Sequence, residues 1–285
     1  MGSAGRGRPP VILRDTTSLV DIHSHLVPAV DDGARHVEAV LESIDRLTQV
    51  GVRRIVTTPH IEASLTLNPD RLDERLTAVT EAWETARAAI KEQFPEVEYR
   101  RGHEILIDIP EPDLSDVRIR MANTSFVLVE WPRLRIPPGT PRVLERIRAQ
   151  GYRPIIAHPE RYTDMVQAPD MAERWRDAGA HLQVNYGSLV GRYGAEAQTV
   201  AFRLLEAGLV DYMASDFHGD MNLRIYKTEA WAVLEGRGAL ETLETLCRTN
   251  PSRLLEDEDP IPVTALSYEP TFFSRLRGIV KRETA

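Results

Sequence analysis

The chain has 285 residues, 42% hydrophobic and 27% charged, enough for a buried core and unlike a disordered or fibrous chain. A formal net charge of -8 argues against a general nucleic-acid binder, which needs a basic surplus. One cysteine, Cys247, excludes an intrachain disulfide and fits a reducing compartment, and no apolar run approaches the roughly 18 residues of a spanning helix.

MGSAGRGRPP at the start is basic and rich in Gly and Pro but lacks the apolar segment of a secretory signal. Residues 1–17 therefore read as a disordered tail, and a cytoplasmic location is expected. SLVDI at 18–22 is a short apolar run bounded by turn residues, expected as a strand. Val37, Val40, Leu41, Ile44, Leu47 and Val50 then recur at helical spacing, with Gly51 where a C-cap belongs. RRIVT at 53–57 predicts the second strand. Asn68 is a good N-cap ahead of Pro69, and Leu72, Leu76, Val79, Trp83, Ala86 and Ile90 share one helical face. VEYRR at 97–101 and SFVLV at 125–129 predict strands. A helix opens at Thr140-Pro141, carries Val143, Leu144 and Ile147, and stops at Gly151. RPIIA at 153–157, HLQV at 181–184 and LVDYMA at 209–214 complete seven expected strands. Repeated β–α units imply an α/β fold with parallel strands and crossover helices, and seven units suit one closed or nearly closed barrel over residues 18–260. Residues 261–285 form a basic C-terminal tail. Within it Phe272, Leu276, Ile279 and Val280 lie on one side of TFFSRLRGIVKR, beside Arg275, Arg277, Lys281 and Arg282. Such a segment could make weak contact with an anionic membrane, though a frayed surface tail or an oligomer contact is the plainer reading.

Ligand-type side chains fall just past the expected strand ends, where active sites of parallel barrels are built. His23 and His25 follow the first strand, His60 the second, Glu104 the third, Glu130 the fourth and His158 the fifth; Asp216 and His218 follow the seventh. Any one of them alone reads as a packed or solvated residue; the joint pattern does not. In H-x-H on a strand, residues i and i+2 point to one face, so both imidazoles can reach one ion. D-x-H at 216–218 does the same with an oxygen and a nitrogen. Mixed His and carboxylate ligands without thiolates suit Mn, Fe(II), Zn or Mg. The donors exceed what one ion needs, so two or three ions bridged by a carboxylate are expected. Such a cluster suits phosphoryl transfer, because the ions acidify a bridging water and clamp phosphate oxygens. Arg161 and Arg224 are the candidate guanidiniums for the developing charge.

His36, at a helix start, and His181, beside apolar residues on a strand, read as structural. So does His103, which as Glu104's neighbour faces the other way. Trp131 is open to two readings, mouth or core. Cys247 to Arg253 fits the C-x5-R spacing of a cysteine-dependent phosphatase loop. However, Cys247 ends a helical pattern, Pro251 lacks an N–H and no glycine is present, so Cys247 reads as a core or helix-end residue.

DIHSHLVPAVDDG at 21–33, TTPH at 57–60, GHEI at 102–105, LVEWP at 128–132, PIIAHPERY at 154–162, QVNYGSLVGRYG at 183–194 and ASDFH at 214–218 occur in order. Over residues 19 to 257 the chain resembles the bacterial tyrosine phosphatases of the PHP (polymerase and histidinol phosphatase) superfamily, the CpsB/CapC group of capsule and exopolysaccharide operons. The resemblance implies a distorted seven-stranded β/α barrel and a manganese-preferring cluster, typically of three ions. By position, His23, His25, Glu104 and Asp216 resemble ligands of one ion. Glu104, Glu130 and His158 resemble those of a second, and His60, His218 and Asp32 those of a third; Asp31 could replace Asp32. Arg161 resembles the family's phosphate-binding arginine, and Arg224 lies in the loop that supplies another. The implied substrate is phosphotyrosine on a bacterial tyrosine kinase that controls polysaccharide export. A small-molecule phosphatase such as histidinol-phosphate phosphatase, and a catalytically silent metal-binding partner of the polysaccharide machinery, are the competing readings.

Overall fold

The computed structural model describes residues 18–220, 222 and 224–266. The tail of residues 1–17 and the basic segment from Phe272 onward lie outside them.

Each expected strand is present: β1 (Leu19–Asp21), β2 (Val52–Thr57), β4 (Glu98–Arg101), β6 (Phe126–Glu130), β7 (Arg153–Ala157), β8 (His181–Asn185) and β9 (Tyr212–Ala214). Two more, β3 (His60–Glu62) and β5 (Glu104–Leu106), continue β2 and β4 after short breaks. The breaks have local causes. Pro59 has no N–H to offer a ladder. At Gly102 a Cβ would stand 2.7 Å from the Met121 Cα, so only glycine lets the chain pass. All pairs are parallel, in the orders β1-β2-β4 and β3-β5-β6-β7-β8-β9. Beyond β1 and β9 the chain also pairs: Ser24 bridges Phe217, His25 N donates to Phe217 O (2.8 Å) and Asp216 N donates to His23 O (2.9 Å).

The connections are mostly helical. They are α1 (Val37–Gln49), α2 (Pro69–Gln93), α3 (Thr140–Ala149), α4 (Met171–Asp177), α5 (Tyr186–Leu189), α6 (Ala195–Glu206), α7 (Lys227–Glu235), α8 (Leu240–Glu244) and α9 (Asn250–Leu255). Side-chain caps fix the starts of the first two. His36 Nδ1 accepts from Ala39 N ahead of α1, and Asn68 Oδ1 accepts from Arg71 N ahead of α2. Val40, Ile44 and Leu47 of α1 are fully buried, each worth about 1.5–3 kcal/mol.

Side chains on the strands divide by parity. Val20, Ile22, Val56, Phe126, Leu128, Ile155, Ala157, Tyr212 and Ala214 pack together in one inner cluster. Val127, Val129, Ile156, Leu182, Val184 and Met213 belong to the larger core that includes Ile44, Leu144, Trp175 and Leu204 of the helices. Strands covered on both faces read as continuous apolar runs, which is why these were visible in the sequence. Packing continues past residue 260, since Leu266 is buried and its N–H donates to Leu205 O.

Candidate metal centre

The ligand-type side chains converge at the C-terminal ends of the strands. His23 and His25 leave β1 with their Nε2 atoms 3.3 Å apart. Glu104, the first residue of β5, places Oε2 3.1 Å from His23 Nε2 and 3.3 Å from His25 Nε2. Its Oε1 lies 2.9 Å from His158 Nε2. Asp216 Oδ1 faces the same two histidines at 3.5 and 3.6 Å. His60 turns Nδ1 to Glu104 and Glu130 (3.3 and 3.4 Å) and Nε2 to Asp32 (3.5 Å). His218 Nε2 also faces Asp32 at 3.5 Å, and its ring stacks on His25 with centroids 4.1 Å apart. Four groups of donor atoms arise, each within 4.8 Å: His25, Asp32, His60 and His218; His23, Glu104 and His158; His23, His25 and Asp216; and His60, Glu104 and Glu130.

The floor of the site is closed and its rim open. The side chains of His23, His25, Glu104, His158 and Asp216 are buried, whereas those of His60 and Asp32 are 35% and 68% exposed. His158 (φ 35°) and Asp216 (φ 51°) hold left-handed backbone, which non-glycine residues adopt at a cost and which aims both side chains off their strand ends. Gly33 lets the 31–33 turn lie against His25, because a Cβ there would meet the His25 carbonyl oxygen at 2.1 Å.

Burial of so many charges perturbs them strongly. Desolvation opposes a charge on His23, yet the Glu104 and Asp216 carboxylates outweigh it and raise the ring to about 9. His25 is raised against the same desolvation, first by its hydrogen bond to Asp31 and then by Glu104 and Asp216. Burial works against ionised Glu104 and Asp216 too, and the histidines, with Arg161 at Asp216, hold both carboxyls well below the usual range. A buried knot of imidazole nitrogens and carboxylate oxygens, lacking any thiolate, fits hard or borderline divalent cations.

Asp31 and Asp32 have separate places. Asp31 Oδ2 accepts from His25 Nδ1 (2.8 Å) and from the His60 backbone N–H (3.1 Å), so it orients the His25 ring and ties down the chain at His60. Asp32 faces the outer group. His60 stands between the second and third expected sets, and His158 contacts Glu130 only at 3.9 Å. Arg161 reaches Asp216 Oδ2 through one terminal nitrogen (2.7 Å) and lies 4.4 Å over the Tyr193 ring. Arg224 is not drawn in. Its exposed guanidinium pairs with Glu229 and lines a separate groove with Arg46 and Gln49. Trp131 is buried against Trp175, so it packs the core and does not line the mouth. His36 and His181 are a helix cap and a ring packed on Phe126. His103 is buried, with Nδ1 at the Arg118 carbonyl. Cys247 is fully buried in a wide helical turn, and burial pushes its thiol up to about 12.

Sequence reasoning left out Gln183 and Asn185. Both are fully buried polar residues at alternate positions of β8: Gln183 Oε1 lies 2.8 Å from His23 Nδ1, and Asn185 Nδ2 donates to Asp216 Oδ2 at 2.8 Å. Two amides two residues apart, flanking buried Val184 at the end of a strand, were the available signal.

Known proteins share the sequence pattern and the fold of this chain. Tyrosine-protein phosphatase YwqE of Bacillus subtilis is 32% identical over 220 residues, covering 76% of this chain and 84% of that protein. A putative tyrosine-protein phosphatase, CapC of Staphylococcus aureus, is 24% identical, covering 82% and 96%. A crystal structure from work on YwqE and on CpsB of Streptococcus pneumoniae, described as unique metal-dependent tyrosine phosphatases, superposes with a TM-score of 0.72 at 28% identity. It covers 86% of this chain and 99% of that one. A phosphotriesterase homology protein of Escherichia coli shares the fold at 15% identity and a TM-score of 0.51. The family model for capsular polysaccharide synthesis, CpsB/CapC, matches residues 19–256, and the chain belongs to that family.

Proposed function

We propose that this protein is a metal-dependent protein-tyrosine phosphatase, with a cluster of two or three divalent ions, manganese foremost, in a distorted seven-unit β/α barrel. The observation that carries the reading is the position of Glu104: its two oxygens face His23, His25, His60 and His158, so donor groups on both sides share one carboxylate. Parity-split strand side chains and the Ser24–Phe217 bridge support barrel closure. The residues that would hold the ions are His23, His25, Asp32, His60, Glu104, Glu130, His158, Asp216 and His218. Divalent ions held there would supply Lewis acidity towards the phosphate oxygens.

The chain's own groups do the rest. Arg161, fixed by Asp216 and stacked on Tyr193, is set to bind phosphate oxygens and to neutralise charge that grows on them. Asp31 and Gln183 hold the two H-x-H rings in orientation. The half-exposed rim of His60, His218 and Asp32 leaves the site open to a side chain presented from another protein. Family membership supports a phosphotyrosine protein of the capsule machinery as substrate, a bacterial tyrosine kinase in the cytoplasm being the partner we favour. Among the described residues no helix is long and apolar enough to cross a membrane.

The test compares turnover of a phosphotyrosine peptide and of histidinol phosphate, before and after chelation, with Mn(II) restored, and in His158→Ala. Peptide turnover that chelation and His158→Ala abolish and Mn(II) restores is the expected result. Preference for histidinol phosphate would replace the substrate, and peptide turnover that survives chelation would overturn the reading.

A further inference from the structure

We propose that Gln183 and Asn185 are positioning residues, a two-amide relay through which the Asp216 carboxylate fixes which ring nitrogen of His23 is offered to a metal ion. The inference rests on the metal-binding reading of the site. The relay is continuous. Asn185 Nδ2 lies 2.8 Å from Asp216 Oδ2, Gln183 Nε2 lies 2.8 Å from Asn185 Oδ1, and Gln183 Oε1 lies 2.8 Å from His23 Nδ1. All four side chains are buried, so water cannot substitute for a mismatched partner.

The direction of every bond follows from one end. Ionised Asp216 can only accept. Asn185 must therefore turn its NH2 to Asp216, which leaves its oxygen towards Gln183. Gln183 must then give its NH2 to Asn185 and its oxygen to His23. The oxygen requires N–H on Nδ1, and Nε2 is left as the ring atom that faces His25, Glu104 and Asp216. The same carboxylate thus contributes Oδ1 to the donor group and sets His23 through Oδ2. His25 reaches the same orientation by another route, a direct bond from Nδ1 to Asp31. The H-x-H pair is held by one neutral amide and one carboxylate. Asn185 has a second tie: its backbone N–H donates to Glu160 Oε1, which also accepts from Ser188 Oγ, so the HPER turn and the end of β8 are pinned together.

The experiment measures Mn(II) affinity by calorimetry on the full chain, with metal content and circular dichroism as companions, so its outcome does not depend on phosphatase turnover. Outer partners of ligating histidines are typically worth about 10–100-fold in metal affinity. Gln183→Leu is expected to lose about that much. Gln183→Glu keeps an acceptor for Nδ1–H but cannot donate to Asn185 Oδ1, so it is expected to lose affinity, by less than Gln183→Leu. Asn185→Leu is expected to weaken binding, and the double Leu variant to lose less than the sum of the two, because a broken relay cannot be broken again. Wild-type affinity in a folded Gln183→Leu protein, additive losses, or a Gln183→Glu loss as large as that of Gln183→Leu would each overturn the relay. If Gln183→Leu does not fold, Gln183→Glu and Asn185→Leu decide, and wild-type affinity in both would overturn the relay. A phosphatase assay that fails on the unsubstituted chain, with these affinities as expected, would remove the proposed function and leave the relay standing.

Discussion

Glu104 Oε1 stands 2.9 Å from His158 Nε2 on the closed floor of the site, while the other oxygen of the same carboxylate serves the H-x-H pair. One residue therefore belongs to two donor groups. Glu104→Gln should lower bound Mn(II) by more than one equivalent and cut activity by more than the roughly 10–100-fold typical of outer partners. Asp32→Asn, at an exposed rim position in one group only, should cost no more than one equivalent. Elemental analysis of the purified variants checks both; equal losses would remove the bridging role.

Arg161 and Arg224 are both arginines in loops after the strands, but they behave differently. Arg161 is tied to Asp216 and stacked on Tyr193; Arg224 is exposed and paired with Glu229. Arg161→Ala should reduce turnover by about 100- to 1,000-fold, as for loss of one charge-stabilising donor. Arg161→Lys should recover little, because an ammonium has neither the planar fork nor the stacking face. Arg224→Ala should stay within about twofold, as expected of a surface change. Steady-state kinetics on a phosphotyrosine peptide separates them.

The contrast between those arginines also shows what a sequence can carry. Strands such as RPIIA and SFVLV are legible because both faces are buried and every position after the first is apolar. β3 and β5 are not, since each has three residues and the break at Gly102 depends on what passes nearby. Convergence of the His and carboxylate side chains is legible from strand ends and period-two spacing. Their grouping is not, because His60 offers one nitrogen to each side and only the ring's orientation says so. Proximity in the chain to His218 gave Arg224 a place but no direction. Gln183 and Asn185 were passed over because neutral amides carry no ligand signature.

Cys247 offers a clean negative control. Its thiol is fully buried and pushed up to about 12, so at pH 8 only about one part in ten thousand is thiolate. The folded protein should resist iodoacetamide at pH 8 and react only on unfolding. Cys247→Ala should keep peptide turnover within about twofold while lowering Tm by a few degrees through the small cavity it leaves. Rapid alkylation with loss of activity would reopen the C-x5-R reading.

Metal binding and protonation compete at His23. In the metal-free protein the ring is raised to about 9 by Glu104 and Asp216, against an unfolded value near 6.5. A raised value means that the protonated ring stabilises the fold. That contribution is complete below about 6.5 and is lost as pH rises through about 9. An ion needs the neutral ring, so its affinity runs the other way and climbs until pH reaches about 9. Metal-free and Mn(II)-loaded protein should therefore diverge, with the gap in Tm widening from pH 6 to pH 9. Taking the difference cancels groups that titrate alike in both forms. Calorimetry near pH 7.5 in buffers of different ionisation enthalpy should show protons released as Mn(II) binds. A Tm gap independent of pH, with no proton release, would mean that His23 is already neutral in the metal-free site and that its carboxylate neighbours do not hold it charged.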